Sequence, residues 1–529
     1  MSSKLLRSAA MFSAMTMISR VLGFVRDILI ARLFGADAGT DAFLVAFKIP
    51  NFLRRLFAEG AFSQAFIPVL SEYKEARGKE AVRELVQRTA GTLGGILFIV
   101  SIIGVIAAPL LILLFAPGFA GDDYKHALAS DMLMLTFPYI FFISLVALAG
   151  GVLNTFGRFG VPAFTPVFLN LSLIGCAVWL APHMHEPVTA LAWGVLIAGV
   201  AQLLFQIPFL MRLGVLGLPK WGWQDEGVKR IMTLMIPAIV GVSVVQINLL
   251  FDTIIASFLE TGSVSWLYYS DRLVEFPLGV FGIALATVVL PTLSKQVTRG
   301  DESGFSATMD WSLRWVFLIA VPATLGLVMM AGPMLATLFY YGAFTAKDLG
   351  MASLSMMAYG TGLLGFILVK VLAPGFYSRQ DTKTPVKIAI KAMMIGMVLN
   401  VVFVVPMVWF DIAGAHAGLA LATALAAFIN AGLLYYVLRK EQIFVLQAGW
   451  RGFLIKVALA ALVMVLLLYF GSPPLEQWMA WGGWDRALWL FVWVMAGMAS
   501  YFATLLLLGV RVKDLLGKPK NSTRPLHEK

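Results

Sequence analysis

The stretch MFSAMTMISRVLGFVRDILIARLFGADAGTDAFLVAFKIPNFLRRLFAEGAFSQAFIPVL, Met11 to Leu70, has the length and apolar content of two membrane-crossing segments. It nevertheless carries Arg20, Arg26, Asp27, Arg32, Asp41, Lys48, Arg54, Arg55 and Glu59. One Arg, Lys or Asp at the centre of a membrane helix costs roughly 2.5 to 3.5 kcal/mol, so the stretch would cost on the order of 10 kcal/mol if it faced lipid. Its charged faces must meet protein or a wet cavity.

On an ideal helix Arg20, Gly23, Arg26 and Asp27 fall within an arc of about 120°, a polar stripe aimed one way. Arg32 lies off that stripe near the helix end, where a long side chain can reach the interface. Gly23 permits close backbone approach or a bend. In the second segment Asp41, Lys48, Arg55 and Glu59 share a face, with Arg54 turned about 100° away from Arg55. Pro50 removes a backbone donor and clashes with the preceding turn, so a kink is expected and the two ends need not keep one phase. Periodicity leaves the choice between Arg54 and Arg55 open.

The rest of the chain has the composition of a membrane protein: 60% of its 529 residues are hydrophobic, 13% are charged and the mean hydropathy is +0.86. Soluble domains carry about 25% charged residues. Apolar segments of about 20 residues recur fourteen times, centred near residues 20, 55, 100, 143, 171, 200, 243, 279, 324, 362, 397, 426, 461 and 498. The expectation is an all-α polytopic protein with fourteen transmembrane helices and both termini on one side. The loops on that side, with the two tails, hold 29 Lys and Arg; the opposite loops hold Lys125, Lys347 and Arg486. The positive-inside rule therefore puts both termini in the cytoplasm. The first segment runs past Arg20 and Arg26 without a small-residue cleavage pattern and reads as a retained span.

Several function classes drop out. The net charge of +11 follows from the loop bias, and no aromatic-interleaved basic patch accompanies it, so no nucleic-acid partner is expected. Cys176 is the sole cysteine, which rules out an intrachain disulfide and a thiolate metal site. The five histidines lack zinc spacing, no Gly-rich phosphate loop is present, and no Ser-His-Asp arrangement stands out. No enzyme, no resident cofactor and no direct use of ATP is expected.

The chain repeats weakly at an offset of about 223 residues: Pro68 with Leu70-Ser71 matches Pro291 with Leu293-Ser294, Pro109 matches Pro333, and Pro162 matches Pro385. Ordered anchors of this kind suggest two six-helix lobes in parallel pseudo-two-fold repeat, with substrate expected between them. The domains expected are an N-lobe at 1–218 (helices 1–6), a C-lobe at 219–445 (helices 7–12), an added helix pair 13–14 at 446–510 placed to line a lipid-facing groove, and a basic cytoplasmic tail at 511–529.

The C-lobe has its own charged cluster, Asp271-Arg272-Leu273-Val274-Glu275. Glu275 lies one helical turn from Asp271 and Arg272, so the arginine is either neutralised locally or offered to a substrate. Lys370, near the inner end of its span, is open to the same two explanations as a snorkelling or a working charge. Guanidinium is planar, permanently charged and bidentate toward phosphate, so several arginines converging on a cavity imply an anionic, phosphate-bearing substrate.

At SRVLGFVRD (Ser19–Asp27), TDAF (from Thr40), NFLRRLFAEGAFSQAFIPVLSEY (from Asn51), SWLYYSDRLVEFPLGVFGIALATVVLP (from Ser265) and KVLAPGFYSRQDTKTPVKIA (from Lys370) the chain resembles the MurJ (MviN) lipid II flippases of the multidrug/oligosaccharidyl-lipid/polysaccharide exporter superfamily, over essentially its whole length. The resemblance implies a bacterial inner-membrane transporter with a central cationic cavity and a groove at helices 13 and 14 for the undecaprenyl tail. Its partners would be lipid II, membrane lipids and cell-wall synthesis proteins. By motif it implies substrate binding by Arg20, Arg26, Asp41, Arg54 and Arg272, thereby choosing Arg54 over Arg55, with Gly23, Asp27, Arg55, Glu59, Asp271 and Glu275 in support. It implies membrane potential or a coupling cation as the energy source. Asp252 and Asp381 are weak sodium candidates, because Tyr377 and Met393 surround the region with poor ligands for a hard cation. The competing functions are an ion-coupled drug or metabolite antiporter on the same fold and a non-transporting scaffold for envelope synthesis. The arginines disfavour cationic drugs, and helices 13 and 14 favour a lipid-tailed cargo.

Overall fold

Lipid offers no hydrogen bonds, so an apolar segment that enters it must satisfy its backbone internally, and a helix does so within one segment. The computed structural model describes residues 3–56 and 62–510; Glu59 and the basic tail at 511–529 lie outside the described residues. Among the described residues the chain is helical without strands. Eleven helical stretches of described residues are long and apolar enough to cross a membrane, and every expected centre except those at 20, 55 and 243 falls inside one.

The chain divides into two compact units. The first comprises Met1–Ser265 with Tyr341–Phe344, and the second comprises Trp266–Tyr340 with Thr345–Lys529. In the first unit the helices are α1 (Ser3–Phe34), α2 (Ala38–Leu53), α3 (Ser63–Ala76), α4 (Gly78–Ile106), α5 (Ala108–Phe115), α6 (Asp123–Thr136), α7 (Tyr139–Thr155), α8 (Gly160–Phe164), α9 (Pro166–Gly175), α10 (Thr189–Leu213) and α11 (Glu226–Ser257). Helix α12 (Ser263–Pro277) starts in the first unit and continues in the second. The second unit adds α13 (Ile283–Thr298), α14 (Glu302–Met329), α15 (Ala331–Leu338), α16 (Ala346–Thr361), α17 (Leu363–Tyr377), α18 (Lys383–Trp409), α19 (His416–Lys440), α20 (Trp450–Gly471), α21 (Leu475–Ala480) and α22 (Gly483–Leu507).

Some helix lengths and breaks recur at the offset noted in the sequence. Helices α1 and α11 are each 32 residues long and begin 223 residues apart. The pair α4–α5 is a 29-residue helix, a one-residue break at Ala107 and an eight-residue helix with a proline in its first turn. The pair α14–α15 repeats this as 28 residues, a break at Met330 and eight residues containing Pro333. The caps recur as well: Asp122 accepts from Lys125 N–H at the start of α6, and Thr345 accepts from Asp348 N–H at the start of α16. Each cap satisfies a backbone donor that the helix leaves orphaned.

Packing divides the chain later than the repeat does. The repeat starts again at α11, close to the expected boundary at 218/219, but α11 packs within the first unit. Its Thr253 hydroxyl accepts from Lys48 Nζ at 2.7 Å, its Ser257 hydroxyl accepts from Gly118 N–H at 2.9 Å, and Arg230 pairs with Glu72 at 2.7 Å. The segment leading into α11 is strapped along α4, with Lys220 N–H donating to Gln87 carbonyl and Gly222 N–H to Thr92 Oγ1, both at 3.0 Å. The segment Tyr341–Phe344 also belongs to the first unit. Ala343 N–H donates to the Arg32 carbonyl at 2.9 Å at the end of α1. Gly35 turns the chain there with φ +68°, and a Cβ on Gly342 would overlap the Arg32 carbonyl.

In the second unit the Asp310 carboxylate, 1% exposed, accepts from Trp450 Nε1 at 2.6 Å, Arg314 Nε at 2.8 Å and Gln447 N–H at 3.0 Å, fixing the start of α20 to α14. The Tyr501 hydroxyl on α22 donates to the Leu318 carbonyl of α14 at 3.0 Å. Of the three cations counted in the outer loops, Lys125 and Arg486 are each only 5% exposed.

Candidate functional site

Helix α1 crosses an otherwise apolar region with its polar stripe partly committed to protein. Arg26 is 7% exposed and Asp27 is 2% exposed. Asp27 Oδ1 takes two donors of the Arg26 fork, Nη2 at 2.6 Å and Nε at 2.9 Å. The remaining arm, Nη1, donates to Asn170 Oδ1 of α9 at 3.0 Å. Asn170 Nδ2 in turn donates to the Ser19 carbonyl at 2.9 Å, two turns earlier on α1. One amide thus ties two turns of α1 to α9 and orients the guanidinium, whose charge is balanced by its neighbour. A buried ion pair holds only when its hydrogen bonds are completed in this manner. Arg20, on the same stripe, is exposed, as is Arg32, and Gly23 lies against the Asn170 side chain.

Helix α2 stops soon after Pro50. Arg54 is its C-cap, still in helical conformation, with its N–H turned back onto the Asn51 and Pro50 carbonyls, and the helical path continues as a π-helical turn over 54–56. Arg54 is half-buried and its guanidinium is held by Asn51 Oδ1, from Nη2 at 2.7 Å and Nε at 3.0 Å. Arg55 is likewise half-buried.

Asp41, for which substrate binding is the expectation, is held inside the protein in this structure. It is 1% exposed, and both carboxylate oxygens are engaged at the start of α12: Oδ2 by Gly262 N–H at 2.7 Å, Oδ1 by Ser265 Oγ at 2.6 Å and Ser265 N–H at 3.0 Å. A carboxylate there satisfies first-turn donors and the positive end of the helix dipole. Asp41 works as a cap delivered from another helix.

In the second unit Arg272 is partly exposed on α12. Its Nη1 meets Glu275 Oε2 at 3.0 Å and its Nη2 meets the Tyr268 hydroxyl at 3.3 Å, with the guanidinium over that ring at 4.9 Å. The i, i+3 ion pair expected from the spacing is formed; Asp271 is exposed beside it, as is Lys370 on α17. Among the described residues no group of three or more His, Cys, Asp and Glu is placed to hold a metal ion. Of the two sodium candidates, Asp252 is half-buried on α11, whereas Asp381 caps α18 by accepting from Thr384 N–H at 3.0 Å and Lys383 N–H at 3.1 Å. The Thr384 side-chain and backbone bonds lead in holding the Asp381 carboxyl below its ordinary range.

Asn170, Asn51, Ser265 and Thr253 escaped the sequence reading. Asn170 alone left a trace, an amide inside the apolar run VFLNLSLIG, where a polar side chain calls for a partner. The other three sit among residues with no contrast.

A family model described as "Lipid II flippase MurJ" matches residues 30–481. The chain belongs to the MurJ lipid II flippase family. Within it, a relative named "Probable lipid II flippase MurJ" from Vibrio cholerae serotype O1 is 52% identical over 521 residues, covering 97% of this chain and 98% of its own. Among solved structures, "Lipid II flippase MurJ, inward closed conformation" matches with a TM-score of 0.78 and 26% identity over 96% of this chain and 99% of that one. An inward-facing multidrug resistance MATE family transporter of the MOP superfamily matches with a TM-score of 0.66 and 14% identity, over 82% of this chain and 98% of that one. That last likeness is one of fold. MurJ proteins are a transporter family, and the residues quoted from SRVLGFVRD and TDAF lie in the part of this MurJ-family chain where α1 and α2 carry their charges.

Proposed function

We propose that the protein flips lipid II, the undecaprenyl-diphosphate-linked peptidoglycan precursor, from the cytoplasmic to the periplasmic leaflet of a bacterial inner membrane. The observation that carries this reading is the match to lipid II flippases along nearly the whole chain, in which a membrane-length helix keeps a buried, oriented arginine at position 26. The proposed topology has fourteen spans, with α1, the α2–α3 segment and α11 supplying the three that hydropathy leaves out, and both termini cytoplasmic. The proposed lobes are 1–218 and 219–445, each six helices, with the helices at 446–510 taking the prenyl tail and 511–529 a cytoplasmic tail.

In this scheme Arg20, Arg26 and Arg54 of the first unit and Arg272 of the second bind the diphosphate. Guanidinium keeps its charge and its bidentate fork at every physiological pH. Arg20 is already exposed, and Arg26 has an exchangeable partner, since a diphosphate can take over the bonds Asp27 now accepts. The transporter alternates access, and an anionic headgroup drives it only through its differential affinity for the two states. Membrane potential or a coupling cation resets the cycle, and cell-wall synthesis proteins supply and receive the lipid.

The test is translocation of labelled lipid II in vesicles containing only this protein. Wild type is expected to move it, Arg26→Lys to move it about tenfold more slowly and Arg26→Ala to do worse. No movement by wild type in any imposed potential or cation gradient would leave the scaffold reading; movement of drugs alone would leave the antiporter. Equal transport by all three proteins would remove Arg26 from the mechanism.

A further inference from the structure

Arg486, at the start of α22, looks in the sequence like an ordinary loop cation, but it is buried to 5% exposure. Its Nε donates to the Trp478 carbonyl at 2.9 Å and its Nη2 to the Met479 carbonyl at 2.8 Å. Its Nη1 donates to the Tyr340 carbonyl at 2.8 Å and the Ala336 carbonyl at 3.1 Å, and the guanidinium carbon lies 5.0 Å from the Tyr340 ring centre. Trp478 and Met479 are in the last turn of α21, and Ala336 is in the last turn of α15. The last four carbonyls of a helix lack intrahelical partners and carry the negative end of its dipole. One cation therefore closes two helix ends at once. A planar fork can reach four carbonyls from two segments, whereas a lysine, with its donors on a single atom, cannot.

The far end of α20 is held by the opposite sign of charge. Asp310 collects Gln447, Trp450 and Arg314, Arg314 Nη2 donates to the Ala448 carbonyl at 2.9 Å, and its guanidinium lies over the Trp450 ring at 5.1 Å. With Tyr501 on Leu318, the α20–α22 assembly is tied to α14 and α15 at both ends and along its length.

We infer that Arg486 is a positioning residue that makes α20–α22 a fixed wall on α14–α15, so that the surface offered to the prenyl tail stays still while the headgroup crosses. This rests on the proposed placement of the tail at 446–510. A wall that does not move presents the same groove in every state, and the cost of packing a long apolar chain is not incurred again at each step.

The test uses spin labels at Ala346→Cys and Trp484→Cys, both exposed sites of the second unit, in a Cys176→Ala background reconstituted in vesicles. With Arg486 present, a single distance is expected that does not change when lipid II is added; two populations would overturn the inference. Arg486→Gln is expected to broaden the distance and to lower transport of full-length lipid II about tenfold, with little effect on an analogue carrying a short prenyl chain. Arg486→Lys should recover part of both. An equal fall for long and short tails would mean a merely structural arginine and would overturn the inference. If Arg486→Gln does not fold, the distance in the arginine-bearing protein still decides. Failure of unlabelled wild type to move lipid II would sink the functional proposal instead and leave the distance measurement standing.

Discussion

Asp27 and Asn170 hold the Arg26 guanidinium from two sides, and their replacement should separate charge compensation from hydrogen bonding. Asp27→Asn removes the counter-ion and leaves a buried cation; such losses cost about 3 to 5 kcal/mol. Asn170→Ala removes one acceptor and one donor, a loss of about 1 to 3 kcal/mol. Thermal unfolding in detergent should therefore place Asp27→Asn well below Asn170→Ala, and the reverse order would contradict the ion-pair account. A second residue-scale expectation concerns Asp381. Because its carboxyl is held below the usual value of about 3.9, the cap it provides to α18 is present above that pH and is lost as pH falls through the lowered value. Amide protection at Lys383 and Thr384, taken against the intrinsic exchange rate at each pH, should fall on acidification in wild type and be low at every pH in Asp381→Ala. Arg26 and Asp27 were legible because they are chain neighbours on one stripe. Asn170 is 144 positions from Arg26, and no periodicity connects them.

Among elements, α2 and α12 show how a charge on one helix joins the start of another. The sequence marks Asp41 as expensive in a membrane, and it is; the expense is offset by three donors at the start of α12, one on Gly262 just before it and two on Ser265. Charge is visible in a sequence, while the place where a helix end arrives is not. Asp41→Ala should leave the Gly262 and Ser265 amides without their acceptor, and hydrogen exchange at those two positions should rise about tenfold or more for each 1.4 kcal/mol of cap lost. Unchanged protection would mean that another acceptor moves in. Arg486 teaches the complementary lesson. The sequence places it in a loop, whereas it stands in the first turn of α22, and the direction of its side chain depends on carbonyls at Ala336 and Tyr340 that lie 150 and 146 residues away.

For the whole molecule, the helical class and most span positions were legible from hydropathy alone. Segments that hydropathy ranks lowest, α1 and α2, hold the charges, since apolar content and charged function compete for the same positions. The orientation argued from basic loops is testable because the sole thiol, Cys176, is buried. In a Cys176→Ala protein, a membrane-impermeant maleimide should label Asp123→Cys in intact cells and Lys79→Cys only after permeabilisation; the opposite pattern would invert the topology.

The segment Tyr341–Phe344 carries a practical warning for anyone who alters this chain. Its Tyr-Gly-Ala-Phe sequence has the look of a disposable turn, the kind of place chosen for an epitope or a protease site. Yet it is clasped to the end of α1 through Ala343 and the Arg32 carbonyl, with no room for a side chain at Gly342. Insertions there would prise a seam apart, and a tag belongs at the exposed turn around Gly300 instead, where nothing lies within reach of an added atom.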